Sequence, residues 1–464
     1  MQRASSPSLA GVEPGWAWAP YEPSPQMPWT RERAAHLFRR AAFGADWAML
    51  ERALNEGPAA TVDRLLQGGE GGDSFYAEAR RAVEPLLGAP IEAGHLPAWW
   101  LHVMLRTPHP LLEKITLFWH GHFATSSAKV TDPRLMYGQN ALLREHALGS
   151  FRPMLHAMAK DAAMLIWLDS AVNRKAHPNE NFAREVMELF CLGLGHYTEQ
   201  DIKQAARSFT GWEVRRGRFF FFNPYQHDSG EKLVLGTRGP FNGEDVLQIL
   251  LEQPAAAEFL TGKLYRYLVS ETLPGTPELL APLAEGYRQR DYDTAWLVGT
   301  ILRSNLFFSD AVRRTRVKGP VELAVGLLRA LEATVNTYAL AEDLAPLGQA
   351  LFAPPNVKGW DGGTEWINSS TLLGRANLVW SLVGGSDARY GNRVPLERLA
   401  ALQGMSEPVA MARRLAELLL GQEPPEAVSV QLAAVAADRS ITDYRLRLAR
   451  LVHAVATLPE YQLA

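Results

Sequence analysis

Cysteine is almost missing from this chain: Cys191 is the only one in 464 residues. That excludes an internal disulfide framework and any cysteine-rich zinc site. Cys191 follows Phe190 at an apolar helix end, which reads as an inert buried thiol and not a nucleophile. An excess of positive charge is missing too. The 47 Lys and Arg residues stand against 50 Asp and Glu, a net charge of -3, so no global field draws the chain to nucleic acid or to an anionic membrane. No apolar run reaches the roughly 20 residues that cross a bilayer. The N-terminus has neither the apolar core of a signal peptide nor a twin arginine. The expectation is a chain without a membrane span, cytoplasmic in preference to exported. Absent as well are a G-x-S-x-G elbow, an H-E-x-x-H pair, a P-loop, a strand-linked G-x-G-x-x-G and any solenoid repeat.

What is present is ordinary globular composition, 47% hydrophobic and 21% charged, which argues against disorder. Residues 1–29 are rich in Pro, Ser and Trp, and Pro7, Pro14, Pro20, Pro23, Pro25 and Pro28 oppose regular helix. They read as an extended arm, either pinned by Trp16, Trp18 and Trp29 or loose. From Thr30 the pattern is helical. Thr30 and Asp46 stand as N-caps before amphipathic stretches, and helical patterns continue to about residue 210 and again from 243 to 457. Only Glu213 to Phe222 reads as strand, a ribbon bending near Gly217 that Lys232 to Leu235 could join. The fold predicted is mainly α: a large bundle-like assembly with a small β excursion near 213–235. The domain reading is the arm followed by one helical domain over 30–464, divisible into 30–240 and 241–464.

Four stretches carry candidate chemistry. In LLEKITLFWHGHFATS (111–126), Glu113, Thr116 and His120 share a helix face. His120 and His122 converge only if the helix ends near Gly121; they would then form an imidazole chelate, and otherwise one is buried and one exposed. In 178–202, Asn179 caps a helix on which Asn181, Glu185 and Glu188 share one face beside the core stripe. Paired Glu three apart suit carboxylate metal sites inside bundles, and equally suit ion pairs with Arg184 and Arg207. His227-Asp228 follows the ribbon, either as ligand and base or as a solvated Asp-Ser-Gly turn. Residues 353–378 combine Pro354-Pro355, Lys358-Gly359-Trp360, Gly362-Gly363, and Trp366 near Asn368. Such a stretch either presents an aromatic platform for a sugar or polymer or plugs the bundle with Trp360 and Trp366; the plug is the preferred reading. Ser369 or Ser370 stands as the cap of the next helix.

HLFRRAAFG (36–44), FWHGHFATS (118–126), NENFAREVMELFCLGLGHYTEQDI (179–202), SFTGW (208–212), HDSGEK (227–232), VKGPVEL (317–323), PPNVKGW (354–360), WINSSTLLGRANL (366–378) and LPEYQ (458–462) occur in this order. Together they resemble the bacterial family of uncharacterised proteins called domain of unknown function 1800. The resemblance spans nearly the whole chain and implies no activity. Its members are often predicted to be exported, which the N-terminus here does not match. The shared motifs include His120, His122, Asn181, Arg184, Glu185, Glu188, His227, Asp228, Asn356, Lys358, Trp360, Trp366 and Asn368.

The functional reading that gathers these residues is a metal-dependent enzyme of hydrolase type. His120, His122, Glu185, Glu188 and His227 would hold zinc, manganese or iron. Glu185, Glu188 and Asp228 would carry the catalytic carboxylates. Asn181, Arg184, Asn356, Lys358, Trp360, Trp366 and Asn368 would contact substrate. Oxidation at a bound metal fits the same donors. The alternative is a non-catalytic protein that docks a polysaccharide or protein partner on a Trp-rich surface, and a third reading makes the polar stripes buried ion networks that fix helix register.

Overall fold

The computed structural model describes residues 9, 11–88, 94–385, 388–390, 394–402, 404 and 407–464. Among them are twenty-five α-helices and two separate two-stranded antiparallel sheets, the mainly α architecture that the apolar periodicity predicts. Thr30 accepts from the Arg33 amide and Asp46 from the Met49 amide, so both caps form as their side chains dictate. No helix among the described residues is long and apolar enough to cross a membrane.

The β excursion differs from expectation in one respect. Trp212–Arg215 pairs with Phe219–Phe222 as predicted. Lys232–Val234 does not join that ribbon but pairs with Thr237–Gly239. The cause is local: Leu235 and Gly236 both take positive φ, 48° and 82°, the conformation of a tight two-residue hairpin. The strand therefore folds back on its own continuation.

The described part of the N-terminal segment is pinned at Trp18 and Trp29. The Trp18 indole N–H donates to the Leu279 carbonyl at 2.6 Å and that of Trp29 to Ala53 at 2.9 Å. Pro14 does not prevent helix here; it opens the short helix Pro14–Trp18, because proline's missing N–H costs nothing in a first turn.

The helix Pro110–His122 organises the interior. Eleven of its thirteen residues are buried, including Glu113, Lys114, His120 and His122. A helix buried on all sides must satisfy every polar group through neighbours. Glu113 receives two bonds from Arg144, at 2.6 and 3.1 Å, one from the Trp100 indole and one from the Tyr76 hydroxyl. The Tyr267 hydroxyl, on the helix Pro254–Leu268, donates to the Lys114 carbonyl at 3.0 Å. Lys114 itself pairs with Glu322, in the helix Pro320–Ala330. Buried apolar side chains form one continuous cluster from Leu9 to Tyr461.

A cationic cavity as the candidate functional site

The two histidines diverge. The helix runs through Gly121 to His122 instead of ending there, so the rings stay on different faces and form no chelate. The His120 Nε2 accepts from the Phe352 amide at 3.1 Å, and its ring packs against Trp100 and Trp360. Burial pushes the His120 imidazole down to about 3. His122 points the other way, and its Nε2–H donates to the Phe190 carbonyl at 3.1 Å. That bond fixes the tautomer, leaving Nδ1 as an acceptor, and this atom is buried with no partner among the described residues. Burial, reinforced by the charge of Lys263, holds His122 neutral.

The carboxylate helix also departs from its predicted spacing. Glu180–Glu185 is α-helical, but Val186–Cys191 widens into a π turn in which the Leu192 amide bonds back to the Met187 carbonyl. The i, i+4, i+7 alignment of Asn181, Glu185 and Glu188 is lost with it. The Glu188 carboxylate accepts from the Tyr197 hydroxyl at 2.6 Å. Arg184 binds Glu199 through both guanidinium nitrogens, at 2.7 and 2.8 Å, instead of either predicted glutamate. Asn181 donates to the Leu168 carbonyl. Glu185 is half-buried without a hydrogen-bond partner among the described residues, and burial, then the charge of Glu188, raises its carboxyl.

His227 and Asp228 serve a clamp. The His227 Nδ1–H donates to the Thr210 carbonyl at 2.9 Å. Asp228 takes a bidentate bond from Arg207, at 2.7 and 3.1 Å, which holds its carboxyl below the usual range. Lys232 reaches the Asp228 and Phe241 carbonyls. HDSGEK is thus tied to SFTGW by Arg207 and Thr210. Among the described residues no three His, Cys, Asp or Glu side chains gather where a metal ion could be held. The predicted grouping of His120, His122, Glu185, Glu188 and His227, with Asp228 beside it, does not come together among the described residues: all but Glu185 are turned to separate structural partners.

The 353–378 stretch converges with the histidine helix. Asn356 accepts from the Lys358 amide, closing a turn. Gly359, at φ 83°, lies so near the helix end that a Cβ would run into the Gly121 carbonyl oxygen. Gly359 is therefore what allows the chain to approach closely enough for Trp360 to reach His120. Trp366 is buried, and Asn368, not Ser369 or Ser370, caps the helix Ser369–Val383. Of the 13 tryptophans only Trp16 is exposed, at 48%. The aromatic surface platform accordingly has no basis, and the plug reading holds for Trp366.

Between these elements lies a cavity of about 200 Å³. Phe118, Tyr267, Trp360 and Trp366 supply aromatic wall, and His122 and Lys358 are the predicted site residues that share the lining with the two tryptophans. Asn181, Arg184, Glu185, Glu188, His227, Asp228, Asn356 and Asn368 are not in it.

The cavity's charges divide into two sets, with Asp361 apart from both. Glu322 accepts from both Arg316 amino groups, at 3.2 and 3.3 Å, and from the Gly319 amide at 2.9 Å, besides its pair with Lys114. Burial alone would raise this carboxyl; Arg316 and Lys114 overcome that and hold it far below the usual range. Glu271 is faced by Arg316 at 3.5 Å and by the Val317 amide at 3.3 Å. These two carboxylates are neutralised. Lys263, Arg266 and Lys358 line the same space and have no carboxylate partner among the described residues; Arg266 donates only to the Asp361 carbonyl, at 3.1 Å. Burial, then the charge of Arg266, brings Lys263 down to about 8.

Sequence reasoning missed Lys263, Arg266 and Glu322. The signal existed: Lys263, Arg266 and Tyr267 fall at i, i+3 and i+4 on a helix otherwise rich in apolar residues, and Glu322 sits two residues inside an apolar helix.

A family model described as a protein of unknown function (DUF1800) matches residues 36–463. No curated protein and no solved structure matches the chain.

Proposed function

The chain belongs to the DUF1800 family, and from the cavity that its motifs enclose we propose that this member binds a small organic anion with an apolar body. The observation that carries this reading is the set of cations Lys263, Arg266 and Lys358, which line an aromatic-walled space unpaired with any carboxylate among the described residues and outnumber Asp361, the one acidic residue of the lining outside the Glu322 and Glu271 network. Lys263, half-buried against those low-dielectric walls, loses hydration and is stabilised by an anion that supplies the missing hydrogen bonds, while the exposed Arg266 and Lys358 add positive charge at the rim. Aromatic faces would cover the rest of the ligand, the usual division of labour in a small-molecule site. At about 200 Å³ the space suits a handful of heavy atoms, below the ~300–1,000 Å³ of drug-sized sites. Metal-assisted hydrolysis, the reading drawn from the histidines and glutamates, gains no support from the divergent directions of those donors.

The test is calorimetric titration with malonate and related short dicarboxylates, with tryptophan emission as a second readout because Trp360 and Trp366 line the space. Loss of one charge-assisted bond costs about 1.5–3 kcal/mol, so Lys358→Gln and Arg266→Gln should each weaken binding roughly tenfold to a hundredfold. Binding unaffected by both substitutions, or none by any member of the panel, would refute the proposal.

A further inference from the structure

Resting on that reading, we infer that the anion carries a carbonyl group and that the Lys263 amine condenses with it, making the ligand class the short-chain oxo acids. Lys263 differs from the other two cations. Arg266 and Lys358 are exposed at the rim, whereas Lys263 is half-buried, with its Nζ 5.1 Å from the centroid of the Phe259 ring. It has no hydrogen bond or ion pair among the described residues, and Arg266 stands one turn on along the same helix. Desolvation beside a second cation is the arrangement that turns a lysine from a charge into a nucleophile, and burial, then the charge of Arg266, lowers this amine accordingly. A rim cation and an interior amine offer the two ends of an oxo acid different partners: Lys358 or Arg266 takes the carboxylate, and Lys263 faces the carbonyl carbon.

The step balances without a redox partner. The amine lone pair attacks the carbonyl carbon and the C=O π pair moves to oxygen. A proton passes from nitrogen to that oxygen to give the carbinolamine, and loss of water leaves the C=N bond. One water is released per imine formed, and water reverses it.

Trapping decides the matter. The intact protein is incubated with pyruvate and sodium cyanoborohydride, then digested and mapped by mass spectrometry. The expected result is a residue mass raised by pyruvate less one oxygen atom, at least tenfold richer at Lys263 than at Lys129, an exposed lysine. Excess malonate should suppress it, and lactate in place of pyruvate should give none. Lys263→Met should abolish the adduct, and Lys263→Arg, which retains the charge, should abolish it while still binding malonate. Malonate binding with adduct spread evenly over the lysines would overturn the imine and leave the anion site standing. Failure of both malonate and pyruvate to bind would overturn the inference together with the reading beneath it.

Discussion

Replacing Glu322 with glutamine tests whether the charges behind the cavity form one neutral unit. In the native chain Lys114 and Arg316 share Glu322, and Arg316 also faces Glu271. Glu322→Gln leaves the shape nearly unchanged but strands two buried cations against one remaining carboxylate. Removing one partner of a buried ion pair costs about 3–5 kcal/mol, since the other charge stays desolvated. Lys114 can escape by losing its proton. Burial already brings it to about 8, with Glu322 the main force opposing that fall, so without the carboxylate it falls further. A lysine whose folded-state value lies below its unfolded one binds fewer protons when native, so stability rises with pH across the interval between the two. For the native chain that interval starts near 8; for Glu322→Gln it starts lower. Urea unfolding at pH 6.5, 7.5 and 8.5 should therefore show the variant about 3–5 kcal/mol weaker at pH 6.5, with the deficit shrinking as pH rises. Lys114→Met in the Glu322→Gln background should recover part of the loss, since it removes one stranded charge. A deficit under ~1 kcal/mol, the range of an exposed pair, or one that grows with pH, would refute the account.

His36, His120 and His122 are all kept neutral, chiefly by burial. Below about pH 6.5 the unfolded chain takes up protons that the native rings refuse, so acidification from pH 7.5 to 5.5 should cost up to about 4 kcal/mol at ~1.4 per ring, read as a falling urea midpoint. Asp161 acts with the opposite sign: burial raises it to about 6, so its contribution is complete below about pH 4 and lost as pH climbs through 6. Asp161→Asn retains the oxygen that accepts from the Met164 amide and should gain at most about 3 kcal/mol at pH 7.5, with no gain at pH 4. Gly359→Ala meets both a positive φ and the Gly121 carbonyl; it should cost about 1–3 kcal/mol and shift Trp360 emission, and unchanged emission with unchanged stability would contradict the close approach.

Legibility in the sequence followed the range of the physics. Caps at Thr30, Asp46 and Asn179 are decided within four residues, and all three form as read. The ribbon at Trp212–Arg215 and Phe219–Phe222 is equally local. The π turn at Val186–Cys191 was illegible, because nothing in VMELFC marks a widened turn and periodicity arguments assume an α-helix throughout. The direction of His120 and His122 hinged on whether Gly121 ends the helix. A glycine permits that but does not compel it, and the Gly359 backbone packed against it settled the outcome from 238 residues away. Lys263, Arg266 and Glu322 went unread for a related reason. Their spacing marks a shared face, but single charges on apolar helices look like solvated edges until the partner helix is known.

The family motifs also prove to be of two physical kinds. HDSGEK is held to SFTGW through Thr210 and to the adjoining Arg207, and the glutamates of 179–202 are turned toward Tyr197 and the solvent boundary. These act through folding, the register-fixing role that buried ion networks can play. FWHGH, VKGPVEL and PPNVKGW instead meet around one hollow, contributing His122, Glu322, Lys358 and Trp360. Within it the network of Lys114, Arg316, Glu322 and Glu271 is balanced, so recognition of an anion falls to Lys263, Arg266 and Lys358, which outnumber the remaining acidic residue of the lining, Asp361. The two sets are separable by salt. Binding at the exposed rim should weaken as ionic strength rises past the point where the Debye length is about 8 Å, whereas the buried network should hardly respond. A variant series in which Arg266→Gln flattens the salt dependence of malonate affinity, and Glu322→Gln lowers stability without flattening it, would assign the motifs to these two tasks. The reverse pattern would place the ligand's charge on Arg316 instead.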